Sequence, residues 1–362
     1  MNAKIQDLIA LGNSEESVRG VNLWALRSTM QKIVSRHVLK DCGHVINLAV
    51  ALKRSRNDGK SYFGGLSTCS NVWCCPVCSA KISHYRSNQL QSLVDWAKRK
   101  NYTVSILTLT MRHNRSQSLK HLWNAITNSF SRVQQSQGFK NFRKDKLIGY
   151  VKATEVTYGE NGWHVHFHCL IITKGNFKGY VCLKDGSLIE DYFAEKFKYF
   201  LARYNVDFIK DSGGMDWQIC ADNTEKIVAK YVTKIHGDIA KELTLGNFKK
   251  ARIKQNRTPF QILADIQADN FENKQDIAIF REYEKASYYK LQLVPSRGLY
   301  KLAGLVDCKD EDILDNDKNN KDDTILFISR EDWDIVLLKG LAPRILQFIH
   351  KISLSGKYSY MF

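Results

Sequence analysis

The sequence has little of several features that mark common protein classes. It contains only 4 prolines among 362 residues, and with 44% hydrophobic residues its composition argues against widespread disorder. No apolar run approaches the roughly 18 residues that span a bilayer, and residues 1–20 lack the basic-then-apolar layout of a secretion signal. These absences predict a cytoplasmic protein of two or three domains, with a good core and no membrane partner.

Acidic residues are also scarce relative to basic ones. Lys and Arg together number 54 against 37 for Asp and Glu, which gives a formal net charge of +17. The basic residues are spread through the chain and are not confined to a tail, so the charge predicts a basic surface that faces the phosphates of a nucleic acid. The alternative is a basic protein whose charge only keeps it soluble.

Cysteine, by contrast, is abundant and clustered. Five of the nine cysteines fall within residues 42–78, and in a cytoplasmic protein such clustering predicts a metal site and not a disulfide framework. In Cys75-Pro-Val-Cys78, the two intervening residues let a tight turn aim both sulfurs at one ion. Cys69 is the natural third ligand. We expect a structural zinc site here, with buried free cysteines as the alternative.

Three residues are candidates for the fourth zinc ligand: Cys42, Cys74 and His84. Adjacent cysteines point apart and seldom bind one ion together, so Cys74 is treated as the spare beside Cys75. The favoured zinc set is therefore Cys42, Cys69, Cys75 and Cys78.

The stretch from Trp163 to Ile172 carries the main chemical signal. Read with the period of a strand, it places one set of alternate residues on one face, and that set is His164, His166 and His168. The apolar residues between them point into a core. Neutral imidazole is the commonest protein ligand for transition metals, and a strand holds residues two apart close and parallel. The pattern predicts a metal site.

A hairpin supplies the third candidate metal ligand. Residues 147–158 read as a strand, 159–162 as a turn and 162–173 as the returning strand, so Glu155 lies across from the histidines. If it lies on the histidine face, its carboxylate completes a His/His/Glu set. A half-buried glutamate is costly without a partner such as a cation. An exposed strand glutamate is the alternative.

The rest of the chain gives an α+β pattern. A strand begins at residue 102, helices are expected over 117–136, 189–204 and 222–237, and residues 258–304 look helical apart from a break near Pro295. We expect an acidic loop over 305–325 and helices over 329–354. On the helix over 222–237, Tyr231 and Lys234 share a face because they are three residues apart. A tyrosine on such a helix is usually a core residue.

Three motifs in this order resemble the replication initiators of rolling-circle plasmids, members of the HUH endonuclease superfamily. They are an apolar strand ending in Thr110, the pair His166-Phe-His168, and a helix with Tyr231 followed by Lys234. The cysteine phrase from Trp73 and the later segments Thr258-Pro-Phe-Gln-Ile-Leu, Glu282-Tyr and Ser296-Arg-Gly-Leu also resemble the family. The resemblance covers roughly residues 40 to 305, and the joint order of the motifs carries it.

The resemblance implies a fold and a reaction. It implies a central antiparallel sheet of the HUH type with flanking helices, preceded by a zinc-binding segment and followed by a helical domain. The expected boundaries are an N-terminal helical segment over 1–40, the zinc segment over 41–100, the endonuclease domain over 101–240 and the accessory region over 241–362. The reaction cuts one DNA strand at a plasmid origin through a covalent 5′-phosphotyrosine and leaves a free 3′-OH.

The resemblance also assigns roles to residues. His166, His168 and Glu155 would hold Mg²⁺ or Mn²⁺, with Tyr231 as nucleophile and Lys234 either stabilising its phenolate or binding the phosphate. His164 is expected to contact DNA or to support a ligand and not to bind the metal itself. The expected partners are single-stranded and duplex origin DNA, a host helicase and a polymerase.

One position departs from the family. Several initiators of this type carry a glutamate four residues before the tyrosine, and here that residue is Ile227. Termination would then use another group or the tyrosine of a second subunit in a dimer. Because Tyr231 follows the histidines, the order favours an initiator or a transposase over a conjugative relaxase. A metal-dependent hydrolase and a non-catalytic, zinc-dependent DNA-binding regulator are the alternatives from other classes.

Overall fold

The computed structural model describes residues 23–56, 59, 61–220, 256–319 and 322–354. The described helices are α1 (Leu23–Ile33), α2 (His37–Lys40), α3 (Pro76–Arg99), α4 (Leu119–Gln135), α5 (Gln137–Asp145), α6 (Ile189–Ala202), α7 (Pro259–Ala268), α8 (Lys274–Ala286), α9 (Leu299–Leu302), α10 (Asp310–Asn319), α11 (Arg330–Leu338) and α12 (Ala342–Leu354). Within these ranges, no helix is long and apolar enough to cross a membrane.

The strands form two antiparallel sheets. They are β1 (Ala49–Arg54), β2 (Ser61–Gly64), β3 (Thr103–Leu109), β4 (Leu147–Gly159), β5 (Gly162–Thr173), β6 (Met215–Ile219), β7 (Asn256–Arg257), β8 (Leu293–Pro295) and β9 (Asp323–Ser329). One sheet has the order β2-β1-β9, and the other has the order β6-β3-β5-β4-β7 with β8 also paired to β4. The mixed α+β class with an antiparallel central sheet, predicted from the sequence, is confirmed.

The chain divides into two compact units. The first comprises residues 1–82, 263–277 and 308–362, and the second comprises 83–262 and 278–307. The division does not test the four domain boundaries expected from the sequence, which stay a prediction.

The smaller sheet lies in the first unit and joins segments far apart in the chain. β1 pairs with both β2 and β9, so residues 49–54 meet residues 323–329. Apolar residues of these strands pack with Trp333, Val336 and Ile345 of α11 and α12. Trp333 also contacts the ring of Phe63 edge-on, with 4.7 Å between ring centroids.

The prediction of an acidic loop over residues 305–325 is wrong. α10 occupies 310–319, and β9 begins at 323. The acidic residues of this run stand in the first turn of α10, where carboxylates interact favourably with the helix dipole: Asp310, Glu311 and Asp312. A run that reads as a solvated loop therefore begins a helix.

The larger sheet lies in the second unit and has the histidine strand in its interior. β5 is bonded to β3 on one side and to the long partner β4 on the other. The hairpin turn that joins β4 to β5 ends at Gly162, whose φ of +82° is disfavoured for other residues. A Cβ there would also lie only 3.0 Å from the Cα of Arg115. The predicted hairpin is confirmed.

Each face of the larger sheet is covered differently. On one face, Leu90, Leu93 and Val94 of α3 pack against strand residues that include Val151 and Leu170. On the other face, Phe167 and its buried neighbours in β5 meet α4, where the rings of Phe130 and Phe167 are 5.7 Å apart. The face that packs on α3 is, by alternation, also the face that carries the three histidines.

Candidate metal centre and functional site

A carboxylate and two imidazoles meet on the histidine face of the larger sheet. Glu155 of β4 is the cross-strand partner of His166 of β5. Its Oε2 atom lies 2.9 Å from Nε2 of His166 and 3.2 Å from Nε2 of His168. The hairpin register thus places one carboxylate oxygen between two imidazole nitrogens.

The charge state of Glu155 suits metal binding. Burial raises the pKa of this carboxyl, but the hydrogen bonds from His166 and His168 outweigh burial, and the pKa falls to about 2. The carboxylate is therefore ionised at neutral pH, as a metal ligand must be. Nδ1 of His166 is buried and has no hydrogen-bond partner among the described residues.

Two threonines, Thr108 in β3 and Thr110 just after that strand, contact histidines of β5. Thr108 is the cross-strand partner of His168, and its Oγ1 atom lies 3.1 Å from Nδ1 of that ring. This contact occupies Nδ1 and leaves Nε2 directed at Glu155. Just beyond the strand, the Oγ1 atom of Thr110 lies 2.6 Å from Nε2 of His164. In metal-binding histidines, the ring nitrogen that does not bind the metal is commonly hydrogen-bonded to a neighbouring residue.

His164 stands outside the ligand group. The group that could hold an ion comprises Glu155, His166 and His168, whose candidate ligand atoms lie within 4.8 Å of one another. Burial, together with neighbouring His166 and His113, lowers the pKa of His164 to about 4. Its ring stacks on that of His113, with 4.9 Å between centroids. The sequence analysis did not single out His113, because it follows a strand and belongs to no periodic pattern.

Glu282 ties two elements of the site together. Its carboxylate accepts a hydrogen bond of 2.8 Å from the backbone N–H of Leu119 and one of 2.9 Å from Nε1 of Trp163. Leu119 begins α4, and Trp163 directly precedes His164. In the sequence, Glu282 stood out only as part of the family resemblance. Its partners Leu119 and Trp163 are more than 100 residues away, so these contacts could be identified only from the tertiary structure.

The first unit holds a second candidate metal centre, made of four cysteines. The group consists of the sulfurs of Cys42, Cys69, Cys75 and Cys78. Cys75 directly precedes α3, and Cys78 lies in its first turn. The Cys42 sulfur lies 3.7 Å from that of Cys75 and 3.6 Å from that of Cys78, and the sulfurs of Cys69 and Cys78 are 3.7 Å apart. A tetrahedron with zinc–sulfur bonds of 2.3 Å has edges of about 3.8 Å.

The four-cysteine group can accept a tetrahedral ion without large rearrangement. Hydrogen bonds from Cys69, Cys75 and Cys78 lower the pKa of Cys42, whereas burial raises the pKa of Cys75, so the four thiols differ in how readily they ionise. Cys74 and His84, the other candidates for the fourth ligand, are not part of this group. Cys74 is fully buried, and the guanidinium of Arg36 contacts its sulfur at 3.6 Å.

The expected nucleophile lies outside the described residues. Tyr231 and Lys234 fall within 221–255, as does Ile227. Their roles stay predictions from the sequence.

Comparison with known proteins bears on the region that contains the Glu155–His166–His168 group and three of the four cysteines. Residues 65–185 match a family described as "Replication protein". A "Protein rep" from Streptomyces lividans is 24% identical over 301 residues, which cover 68% of this chain and 66% of the relative. A "Protein rep" from Lentilactobacillus hilgardii is 30% identical over 142 residues, covering 38% of this chain and 42% of the relative.

A third relative carries a different name. A "Neomycin resistance protein" from Streptomyces cyanogenus is 26% identical over 142 residues, or 32% of each chain. The matches thus span between 32% and 66% of these relatives' lengths. No solved structure matches the chain. The matches to replication proteins confirm the resemblance to plasmid replication initiators that the motifs predicted.

Proposed function

We propose that this protein, whose residues 65–185 match a replication-protein family, initiates rolling-circle replication of a plasmid. In this proposal it cuts one DNA strand at the origin by transesterification, forms a covalent 5′-phosphotyrosine and releases a 3′-OH, and later rejoins the ends. The observation that carries the proposal is the Glu155 carboxylate held between Nε2 of His166 and Nε2 of His168 inside that matched region.

The donor set fits a single divalent ion. Two imidazole nitrogens and one ionised carboxylate oxygen suit Mn²⁺ well, and Mg²⁺ less well by itself. A bound ion would act as a Lewis acid that polarises the scissile phosphate and offsets its developing charge. The protein's own part is to keep Glu155 ionised and the two Nε2 atoms convergent, and Thr108 does the latter for His168.

Tyr231 is the proposed nucleophile. Its phenolic oxygen would attack the scissile phosphorus, and the bond to the 3′-oxygen of the leaving strand would break, so that the new ester conserves the energy of the old one. A tyrosine with a pKa near 10 reacts poorly until its phenolate is stabilised. Lys234 follows three residues later in the sequence and, on the helix predicted there, would supply positive charge for that purpose or bind the phosphate.

Termination needs a different group from that of many relatives. With Ile227 where a glutamate is often found, this chain has no carboxylate four residues before the tyrosine. We propose that a second subunit's tyrosine or another base completes the final cut, so that a dimer acts at that stage. The free 3′-OH would pass to a host polymerase, and a host helicase would separate the strands.

The four-cysteine centre is proposed to be a structural zinc site. Four thiolates leave no open position for substrate, as is typical of structural zinc. The ion would link α3 to the segment around Cys42, and its binding energy would add to folding. We also propose that the central sheet and Tyr231 together form an HUH-type endonuclease fold in the cytoplasm.

A covalent-adduct assay tests the catalytic proposal. Purified full-length protein is mixed with Mn²⁺ and labelled single-stranded oligonucleotides that tile the origin of its plasmid, and adducts are resolved on a denaturing gel. We expect an adduct that disappears in Tyr231→Phe and in the double variant His166→Ala/His168→Ala. Tyr289→Phe is the matched control, because that side chain is 86% exposed and lies in the same unit as His166 and His168.

The outcomes separate the proposals. An adduct that survives Tyr231→Phe would move the nucleophile to another residue. No adduct together with tight duplex binding would favour a non-catalytic regulator. An adduct that forms only on the hairpin ends of a mobile element would keep the chemistry but make the protein a transposase.

A further inference from the structure

A polar cleft adjoins the Glu155–His166–His168 group in the same unit. Its volume is about 300 Å³. Its walls come from the segment after β3, the β4–β5 turn and the segment before β6, and its polar side chains are Thr110, Arg112, His113, Asn161, His164 and Ser212. Among the described residues, the lining includes no carboxylate, and Met111 and Ile209 are its apolar side chains.

The cleft shares a wall with the metal-binding group. The rings of His164 and His166 are 4.8 Å apart between centroids, so His164 borders both the cleft and the ligand set. His113 stacks on His164 with an angle of 19° between the rings, and Nδ1 of His113 donates to the carbonyl oxygen of Asn161 at 3.0 Å. This contact fixes the position of the His113 ring against His164.

The hydroxyl oxygen of Thr110 lies 2.6 Å from Nε2 of His164. A hydroxyl can donate or accept, and when it donates to Nε2 the proton of the neutral ring is on Nδ1. In that tautomer Nδ1 is a donor, and His164 is one of the residues that line the cleft.

Arg112 supplies the positive charge of the cleft. Its backbone N–H bonds to the carbonyl oxygen of Asp207 at 2.9 Å, which anchors the segment. Its side chain is exposed, and within the described ranges its guanidinium makes no ion pair or hydrogen bond. An arginine free to form two parallel hydrogen bonds is well suited to a phosphate group.

We propose that this cleft binds the phosphodiester group next to the scissile phosphate in the single-stranded DNA substrate. Arg112 pairs with the phosphate, and His164 Nδ1 and the hydroxyl of Ser212 donate to its oxygens. His113 is a positioning residue that holds His164. A contact to a phosphate fixes the register of the strand and carries no sequence information, so this subsite would add affinity without base specificity. This inference rests on the proposed function.

The first test measures binding without the covalent step and without a nick site. Full-length Tyr231→Phe protein is titrated with a fluorescent dT oligonucleotide at several salt concentrations. We expect Arg112→Ala in this background to weaken binding about 5- to 20-fold and to reduce the slope of log K against log salt by about 0.7, the value for one phosphate contact on a single strand. Arg132→Ala, an exposed arginine on α4, is the matched control and should change neither quantity as much.

The second test locates the contact. Once the adduct assay has identified the nick site, single neutral methylphosphonates replace each phosphate of that oligonucleotide in turn. Tyr231→Phe protein should lose affinity for the oligonucleotide in which a phosphate adjacent to the nick is neutral. In the double variant Tyr231→Phe/Arg112→Ala, neutralising that same phosphate should cause no further loss, whereas losses at other positions should remain. A pattern of losses that Arg112→Ala leaves unchanged overturns the proposal.

Failure of this proposal differs from failure of the proposed function. If no adduct forms with the unmodified protein but Arg112→Ala still reduces the slope of log K against log salt, the cleft binds phosphate and the proposed nicking activity is wrong. If the adduct forms but Arg112→Ala and Arg132→Ala behave alike, the reaction stands and the cleft is not a phosphate subsite.

Discussion

The hydroxyl oxygen of Thr108 lies 3.1 Å from Nδ1 of His168, and Nε2 on the other side of that ring lies 3.2 Å from the Glu155 carboxylate. The contact follows from register, because Thr108 and His168 are direct partners in the β3–β5 ladder. Removing such support around a metal-binding histidine typically lowers metal affinity or activity by about 10- to 100-fold.

Thr108→Val should therefore weaken Mn²⁺ binding and adduct formation by about tenfold or more, since valine keeps the shape but removes the hydroxyl. Titration of the metal-free protein with Mn²⁺, followed by electron paramagnetic resonance, measures the affinity. Thr108→Ser retains the hydroxyl and should stay near the unmodified value. Equal losses in both variants would assign the effect to packing.

Glu155→Gln should reduce Mn²⁺ affinity by at least about tenfold, because a neutral amide replaces the one anionic donor of the set. Calorimetric titration with Mn²⁺ and the adduct assay report on binding and reaction separately. Glu160→Gln is the control, since Glu160 is exposed in the turn of the same hairpin. Unchanged affinity in Glu155→Gln would remove this carboxylate from the ligand set.

Cys75→Ser should abolish stoichiometric zinc and lower the melting temperature of the protein, because the ion's binding energy is folding energy. Elemental analysis of the purified protein and thermal unfolding are the measurements. Cys74→Ser, one residue away, lies outside the sulfur group and should retain one zinc per chain. Loss of zinc from both variants would contradict the assigned set.

Glu282→Gln should lower the free energy of unfolding by about 1–2 kcal/mol, because its two hydrogen bonds to the backbone of Leu119 and to the indole of Trp163 lose the anionic acceptor. Urea unfolding of the metal-free protein measures the change. Glu195→Gln, on the exposed side of α6, is the control. A change in the free energy of unfolding below about 0.5 kcal/mol, the usual range of surface substitutions, would show that the two hydrogen bonds of Glu282 contribute little to stability.

The pH dependence of stability should reveal His164 in the metal-free protein. Burial lowers its pKa from 6.5 to about 4 in the folded state. As pH falls below 6.5, the unfolded chain takes up a proton that the folded protein does not yet bind, so the free energy of unfolding decreases until about pH 4.

Allowing for partial exposure, we expect a loss of about 2 kcal/mol between pH 7 and pH 4.5. Urea unfolding at both pH values measures it, and His164→Gln should reduce the loss. Glu155 acts in a lower window, because its pKa is depressed from 4.5 to about 2 and its contribution is lost only as pH falls through that range. An identical pH profile in His164→Gln would contradict the assignment.

The sequence by itself determined the local features of the site. The period-two alternation of β5 placed His164, His166 and His168 on one face, and the turn at Gly162 set the hairpin that brings Glu155 opposite. The Cys75–Cys78 spacing likewise indicated half of the sulfur group, and the clustering of cysteines favoured Cys69 and Cys42 for the other half. These signals are readable because the physical constraint acts between residues that are close in the chain.

Tertiary structure alone decided which distant segments meet. Thr108 reaches His168 because β3 pairs with β5 across 60 residues of chain, and Cys42 reaches Cys75 across 33. β1 pairs with β9 although an acidic run precedes that strand. Such pairings depend on the free energy of burying a shared core, which no local period encodes. The cleft beside His113 follows from the same long-range packing.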